Sequence, residues 1–335
     1  MPSIILYCSW NQDRGFLSIG SENGYQVYRS NPFTLCFSKK ANGASICEML
    51  YESSLLAFVN ISPESTRLLK LVDIKRDIVL CRIFYPSPVL SVRFTWNRLV
   101  VLIKGSIYVY NLKNMELINT LNTSKGNVIA FAVHENYVAY NSPTNPGDIY
   151  LASLDTAIPV TLIHCHSSAV QVVDFHPRGH LIATASAKGT VIRVITTSDG
   201  ELVTELRRGY IPASIVSISF HPVEPFLACA SENGTIHVFK ISKQPSDPNS
   251  SPTSSVTVSS SWSKYLTSNV AKVWDTRKEF ATAKIPEASF YGKIIFSSSG
   301  PHIQVASYSG HYYRFAVNLK NGGNCALLER YIFDD

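Results

Sequence analysis

From Ser45-Ile46-Cys47 to Tyr85, from Val89-Leu90-Ser91-Val92-Arg93-Phe94 to Leu121, and from Asn127-Val128-Ile129-Ala130-Phe131 to Cys165, apolar and polar residues alternate in short runs. Gly, Asn or Pro breaks each run. A period of two sends successive side chains to opposite faces, which predicts half-buried β-strands joined by tight turns. Long helical heptads are absent, and 17 Tyr and 16 Phe against 3 Met lean the same way.

Two stretches are near copies. Val173-Asp174-Phe175-His176-Pro177, followed by Leu181-Ile182-Ala183-Thr184-Ala185-Ser186-Ala187-Lys188-Gly189-Thr190, matches Ile218-Ser219-Phe220-His221-Pro222, followed by Phe226-Leu227-Ala228-Cys229-Ala230-Ser231-Glu232-Asn233-Gly234-Thr235. Ser186 and Ser231 lie 45 residues apart. A fainter Ser-x-x-Gly before an aromatic or β-branched run recurs at Ser21 to Gly24 and at Ser307 to Gly310. A period of about 40 to 45 residues is that of a four-stranded propeller blade. Seven units result, which predicts an all-β chain: one seven-bladed, WD40-like β-propeller spanning 1–335, with four antiparallel strands per blade. A β-sandwich with coincidental turn residues is the alternative.

Ser231 and Ser307 are 76 residues apart, about 30 more than one period, so the sequence places an insertion at 244–286 within blade six. Its first part, Ser246 to Ser255, is rich in Ser and Pro, a composition that disfavours packing. In 261–274, Trp262, Tyr265, Leu266, Val270, Val273 and Trp274 fall on one half of a helical wheel. With Lys272, Arg277, Lys278 and Lys284 nearby, this amphipathic segment suits a loop inserted among lipid headgroups, Trp262, Tyr265, Leu266 and Trp274 being its anchors. The other reading gives part of it to the last strand of blade six.

A content of 45% hydrophobic and 16% charged residues argues against global disorder. The net charge of +6 is compatible with an anionic partner without specifying one. Seven cysteines without paired spacing read as free thiols of a reducing compartment, and the N-terminal residues lack the pattern of a signal peptide. A cytoplasmic protein, peripheral on membranes, is expected.

The candidate chemistry centres on Glu205-Leu206-Arg207-Arg208-Gly209, between the two copies. Adjacent strand residues point oppositely, so two guanidiniums here serve two sites rather than clamping one ligand. A guanidinium presents a fork of donors that matches phosphate oxygens. His164-Cys165-His166 lacks the spaced ligand pairs of a zinc site, and no metal or cofactor is expected. The chain has no Gly-x-Ser-x-Gly elbow, His-Glu-x-x-His or phosphate-binding Gly-x-x-x-x-Gly-Lys, so no enzyme is expected either. The basic residues form no stripe with stacking aromatics, which argues against nucleic acid.

Leu206-Arg207-Arg208-Gly209, between Ala183 to Val194 and Gly234 to Phe239, resembles the PROPPIN family, phosphoinositide-binding WD40-type propellers of autophagy. Trp10-Asn11-Gln12-Asp13 and the region from Lys264-Tyr265-Leu266 to Tyr312-Tyr313-Arg314-Phe315 extend the resemblance over nearly the whole chain. It implies recognition of phosphatidylinositol 3-phosphate and/or phosphatidylinositol 3,5-bisphosphate through two pockets at the propeller edge. The first would use Arg207 with His166, Ser168, Ser186, Thr190 and Arg193; the second, Arg208 with Ser214, Ser231, Thr235 and His237. Ser186 and Ser231 are repeat equivalents, as are Thr190 and Thr235, whereas Arg193 and His237 match only if the strands slip by one residue. Tyr210-Ile211-Pro212-Ala213 offers the second pocket few polar partners. The resemblance further implies a monomer on preautophagosomal, endosomal or vacuolar membranes, with autophagy proteins such as a large lipid-transfer protein as partners. A WD40-type protein scaffold without lipid binding is the competing reading.

Overall fold

Turn residues cut the chain into consecutive antiparallel meanders, and in the computed structural model each meander is one sheet, seven in all among residues 4–126, 129–241 and 279–333, which the structure describes. Blade one runs from Ile5 to Lys40, blade two from Ile46 to Phe84, blade three from Val89 to Asn122, blade four from Phe131 to His164, blade five from Val170 to Arg207, blade six from Ile215 to Lys284, and blade seven from Gly292 to Ile332. The first strands of neighbouring blades pack side by side around a central channel. Arg14, Glu48, Arg93, Asp174 and Lys293 line the channel cavity of about 270 Å³.

Burial falls from the axis outward, which explains where alternation is legible. Second strands such as Phe226–Ser231 are buried along their whole length and read as near-continuous apolar runs. Outer strands such as Ile78–Phe84 are mostly exposed. Small residues at the inner contacts, Ala183, Ala185, Ala228 and Cys229, let sheets approach closely.

Among the described residues, no strand crosses from the last blade to the first. Side chains close the ring instead: Ile5, Cys8, Leu17 and Tyr28 of blade one pack with Ala306, Tyr312 and Phe333. Phe33 stacks on Tyr312 with ring centroids 3.7 Å apart, and the Gln304 amide donates to Ser30 O at 3.2 Å.

Blade six departs from the expected pattern in two ways. Ala281–Lys284, at the end of the insertion expected at 244–286, is its fourth strand, paired with Thr235–Val238. Alternation cannot reveal so short a strand after so long an interruption. Gly323–Asn324, from the last hairpin of blade seven, then adds a short parallel fifth strand and covers that edge. The amphipathic segment 261–274, with Trp262, Tyr265, Leu266 and Trp274, lies outside the described residues.

His176 and His221 have a structural role. Each Nδ1 accepts a backbone N–H of its own turn, from Arg178 at 3.1 Å and from Glu224 at 2.9 Å. Their rings pack edge-on against Phe220 and Phe296 of the following blades. Trp10-Asn11-Gln12-Asp13 also has a structural role: Gln12 exchanges hydrogen bonds with Met49 O and Tyr51 N of blade two.

Candidate functional site

In blade five, Thr184 pairs with Arg193, Arg193 with Glu205, and Val191 with Arg207. Directly paired residues share a face, so Thr184, Ser186, Val191, Arg193, Glu205 and Arg207 line the side towards blade four. The opposite face, Ala183, Ala185, Ile192, Val194 and Leu206, packs on Leu227, Cys229 and Phe239 of blade six. Arg208 lies one residue beyond the strand and continues the ladder through its N–H to Thr190 O at 2.9 Å. Its charge is felt at Cys229 and His237, both in blade six. The two arginines therefore face different blade junctions.

At the blade four–five junction, His166 Nε2 lies 3.0 Å from Thr184 Oγ1. Burial, reinforced by Arg193, pushes its pKa down to about 4, so the ring is neutral near pH 7. Arg193 is committed to protein partners: its guanidinium lies 3.0 Å from Glu205 and donates to Cys165 O. Arg207 differs, because its Nε is a buried donor without a hydrogen-bond partner among the described residues. Ser186 and Thr190 are buried, and Ser168 is exposed at the mouth.

At the blade five–six junction, Arg208 donates to Gly189 O at 2.9 Å, Ile211 O at 2.7 Å and Ala213 O at 3.3 Å. Gly189 is needed here: its φ is +61°, and a Cβ would stand 1.9 Å from Ala213 O. His237 Nδ1 lies 2.5 Å from Glu279. Burial lowers the His237 pKa, and Glu279 opposes that shift. Ser231 is fully buried, with its hydroxyl 2.5 Å from Asn233 Oδ1 and 3.2 Å from Thr235 O. It holds its own turn. Ser214 bonds Glu232 through its backbone.

The one-residue slip is present. Thr184 pairs with Arg193 and its repeat equivalent Cys229 pairs with His237, so Arg193 and His237 occupy one position in consecutive blades. The turns are superposable up to Gly189 and Gly234, each donating its N–H at 2.9 Å to the serine three residues before. Blade five then has one extra residue, Thr190, outside the strand. The ladder places Val191, not Thr190, in the position of Thr235, since Val191 pairs with Arg207 and Thr235 with Lys284. This corrects the equivalence of Thr190 and Thr235 read from the repeat.

A family model described as PROPPIN matches residues 5–333. The chain belongs to the PROPPIN family. It is 31% identical to autophagy-related protein 18 of Yarrowia lipolytica over 99% of this chain and 97% of that protein. Its fold is similar to that of Kluyveromyces lactis Hsv2, with a TM-score of 0.81 at 22% identity, covering 99% of this chain and 100% of that one. KlAtg21, in a complex with the coiled coil of AgAtg16, superposes with a TM-score of 0.79 at 26% identity, covering all of both chains. This PROPPIN is an Atg18-like, non-enzymatic autophagy protein. No helix among its described residues is long and apolar enough to cross a membrane.

Three residues at the PROPPIN's two junctions escape the sequence reading of the pockets. Lys284 is the ladder counterpart of Arg207, pairing with Thr235 as Arg207 pairs with Val191. Glu205 and Glu279 hold the equivalent Arg193 and His237. Strand alternation signals Glu205, two residues before Arg207. Lys284 and Glu279 follow the long insertion, where no periodicity links them to blade six.

Proposed function

We propose that this PROPPIN recognises phosphatidylinositol 3-phosphate and/or phosphatidylinositol 3,5-bisphosphate through two sites at its edge, one at each arginine, and acts as an autophagy and endolysosomal trafficking effector. The observation that supports this is the buried Nε of Arg207, which has no hydrogen-bond partner among the described residues, beside an Arg193 already neutralised by Glu205. A phosphate ester there satisfies the donor with a charge-assisted bond. At the second site Arg208 and Lys284 supply the positive charge, and a headgroup phosphate competes with the carbonyls that now hold Arg208. Two sites on one rigid body bind one membrane with avidity, adding about 10²-fold or more.

The membranes in view are preautophagosomal, endosomal or vacuolar. Protein partners accompany the lipid: the coiled coil held by KlAtg21 supports a partner of that class, beside a large lipid-transfer protein.

Flotation of the full chain on vesicles carrying phosphatidylinositol 3-phosphate or unmodified phosphatidylinositol tests the reading. Binding is expected only to the former, and Arg207→Thr/Arg208→Thr abolishes it in a folded protein. Equal recovery on both vesicles, or full retention by the double variant, leaves the scaffold reading in its place.

A further inference from the structure

Between the two arginine sites the chain turns through Tyr210-Ile211-Pro212-Ala213 before entering blade six. Tyr210 and Ile211 are 79% and 80% exposed, more than any other large hydrophobic residue among the described ones. We propose that Tyr210 and Ile211 form a shallow membrane-contacting tip that enters the headgroup region of the bilayer whose phosphoinositides the arginines hold. The proposal rests on the phosphoinositide reading above and makes no use of residues 242–278.

The tip is built rather than merely left over. Arg208 clasps the carbonyls of Ile211 and Ala213, and Ser214 N–H donates to Glu232 Oε1 at 3.0 Å while Ser214 O accepts from Glu232 N–H at 2.9 Å. Gly189 leaves the space that the Ala213 carbonyl fills. A turn fixed at its root loses little conformational freedom on contact, so its apolar surface contributes to binding with little ordering cost.

The chemistry around the tip selects a lipid surface as the occupant. From Leu206 to Ser214 the chain carries two arginines and no acidic residue. Lys188 and Lys284 lie in the adjoining turn and strand end; of the nearby carboxylates, Glu205 is paired with Arg193 and Glu232 accepts the Ser214 N–H at the root of the tip. A cationic rim around two apolar side chains complements an anionic bilayer, where basic residues stay at headgroup level and the apolar ones go below. Tyr210 fits that boundary, since an amphipathic ring suits the membrane–water interface. The Arg207 guanidinium sits 5.2 Å from the centre of its ring, so headgroup capture at Arg207 and seating of the tip are one event.

The test uses the full chain and phosphatidylcholine vesicles with a few per cent phosphatidylinositol 3-phosphate. Ile211→Ser is expected to weaken vesicle binding about tenfold, while its affinity for soluble inositol 1,3-bisphosphate and its unfolding midpoint stay at the wild-type values. In Tyr210→Trp, brominated lipids quench fluorescence beyond the wild-type background. Unchanged vesicle binding by Ile211→Ser, or no added quenching in Tyr210→Trp, overturns the proposal, as does equal loss of vesicle and soluble headgroup binding by Ile211→Ser. The Arg207→Thr/Arg208→Thr variant separates the layers: if it still prefers the phosphoinositide, the headgroup reading fails, whatever the quenching experiment says of the tip.

Discussion

Arg193 and His237 stand at the same ladder position in consecutive blades, each against a carboxylate, Glu205 for the first and Glu279 for the second. The repeated device leaves each junction with one further basic residue at the strand end, Arg207 in blade five and Lys284 in blade six. Removing a carboxylate therefore adds charge to the junction. Glu205→Gln is expected to raise affinity for soluble inositol 1,3-bisphosphate several-fold, measured by calorimetry at constant ionic strength, because Arg193 is no longer neutralised. The stability cost is about 0–1 kcal/mol, the range of a partly exposed pair.

The two arginines separate when mutated singly. Arg207→Ala removes an unsatisfied Nε donor and the contact with the Tyr210 ring, and is expected to lower vesicle binding with a stability loss of at most about 1 kcal/mol. Arg208→Ala strips a donor from the carbonyls of Gly189, Ile211 and Ala213 and is expected to cost about 1–3 kcal/mol as well as binding. Urea unfolding of the two variants beside flotation checks the contrast; equal stability losses contradict it.

Among the described residues, ring closure depends on side-chain contacts rather than on a shared strand. Tyr312→Ala removes a fully buried ring stacked on Phe33, and a loss of about 3–5 kcal/mol is expected. The same truncation at the exposed Tyr331 is expected to cost far less. Chemical denaturation and limited proteolysis of the two variants provide the comparison.

His166 contributes a pH dependence of known sign. Its pKa in the folded protein is about 4, below the ordinary value of 6.5, so between those values the unfolded chain binds more protons. The stability tied to the neutral ring is complete above pH 6.5 and is lost as the pH falls towards 4. His176, also depressed to about 4, acts in the same direction, while Asp174, raised by burial to about 6, acts in the opposite one. His166→Gln is thus expected to reduce the stability lost between pH 7 and pH 5 by about 1–2 kcal/mol, read from urea midpoints at the two pH values.

Much of the site was legible because strands alternate. Arg207 and Arg208 on opposite sides of one sheet follow from period two alone, and the slip that brings Arg193 and His237 into register follows from aligning Thr190 with Thr235. What the alignment could not show is which residue is extra: only the ladder reveals Val191 beneath Arg207 and Thr190 set aside in the turn. Ser231 likewise has the type of a phosphate donor, yet its hydroxyl is spent on its own turn.

The residue string by itself determined the number of blades, the repeat and the separation of the arginines, since each depends on local periodicity and turn chemistry. Tertiary structure alone decided which charges are free. Whether a guanidinium meets a carboxylate, three carbonyls or only the face of a ring depends on chain segments brought together by packing: Glu205 reaches Arg193 across a ladder, Lys284 joins blade six after a long interruption, and Arg207, over the Tyr210 ring, keeps a buried Nε donor because no segment of either neighbouring blade supplies it an acceptor among the described residues.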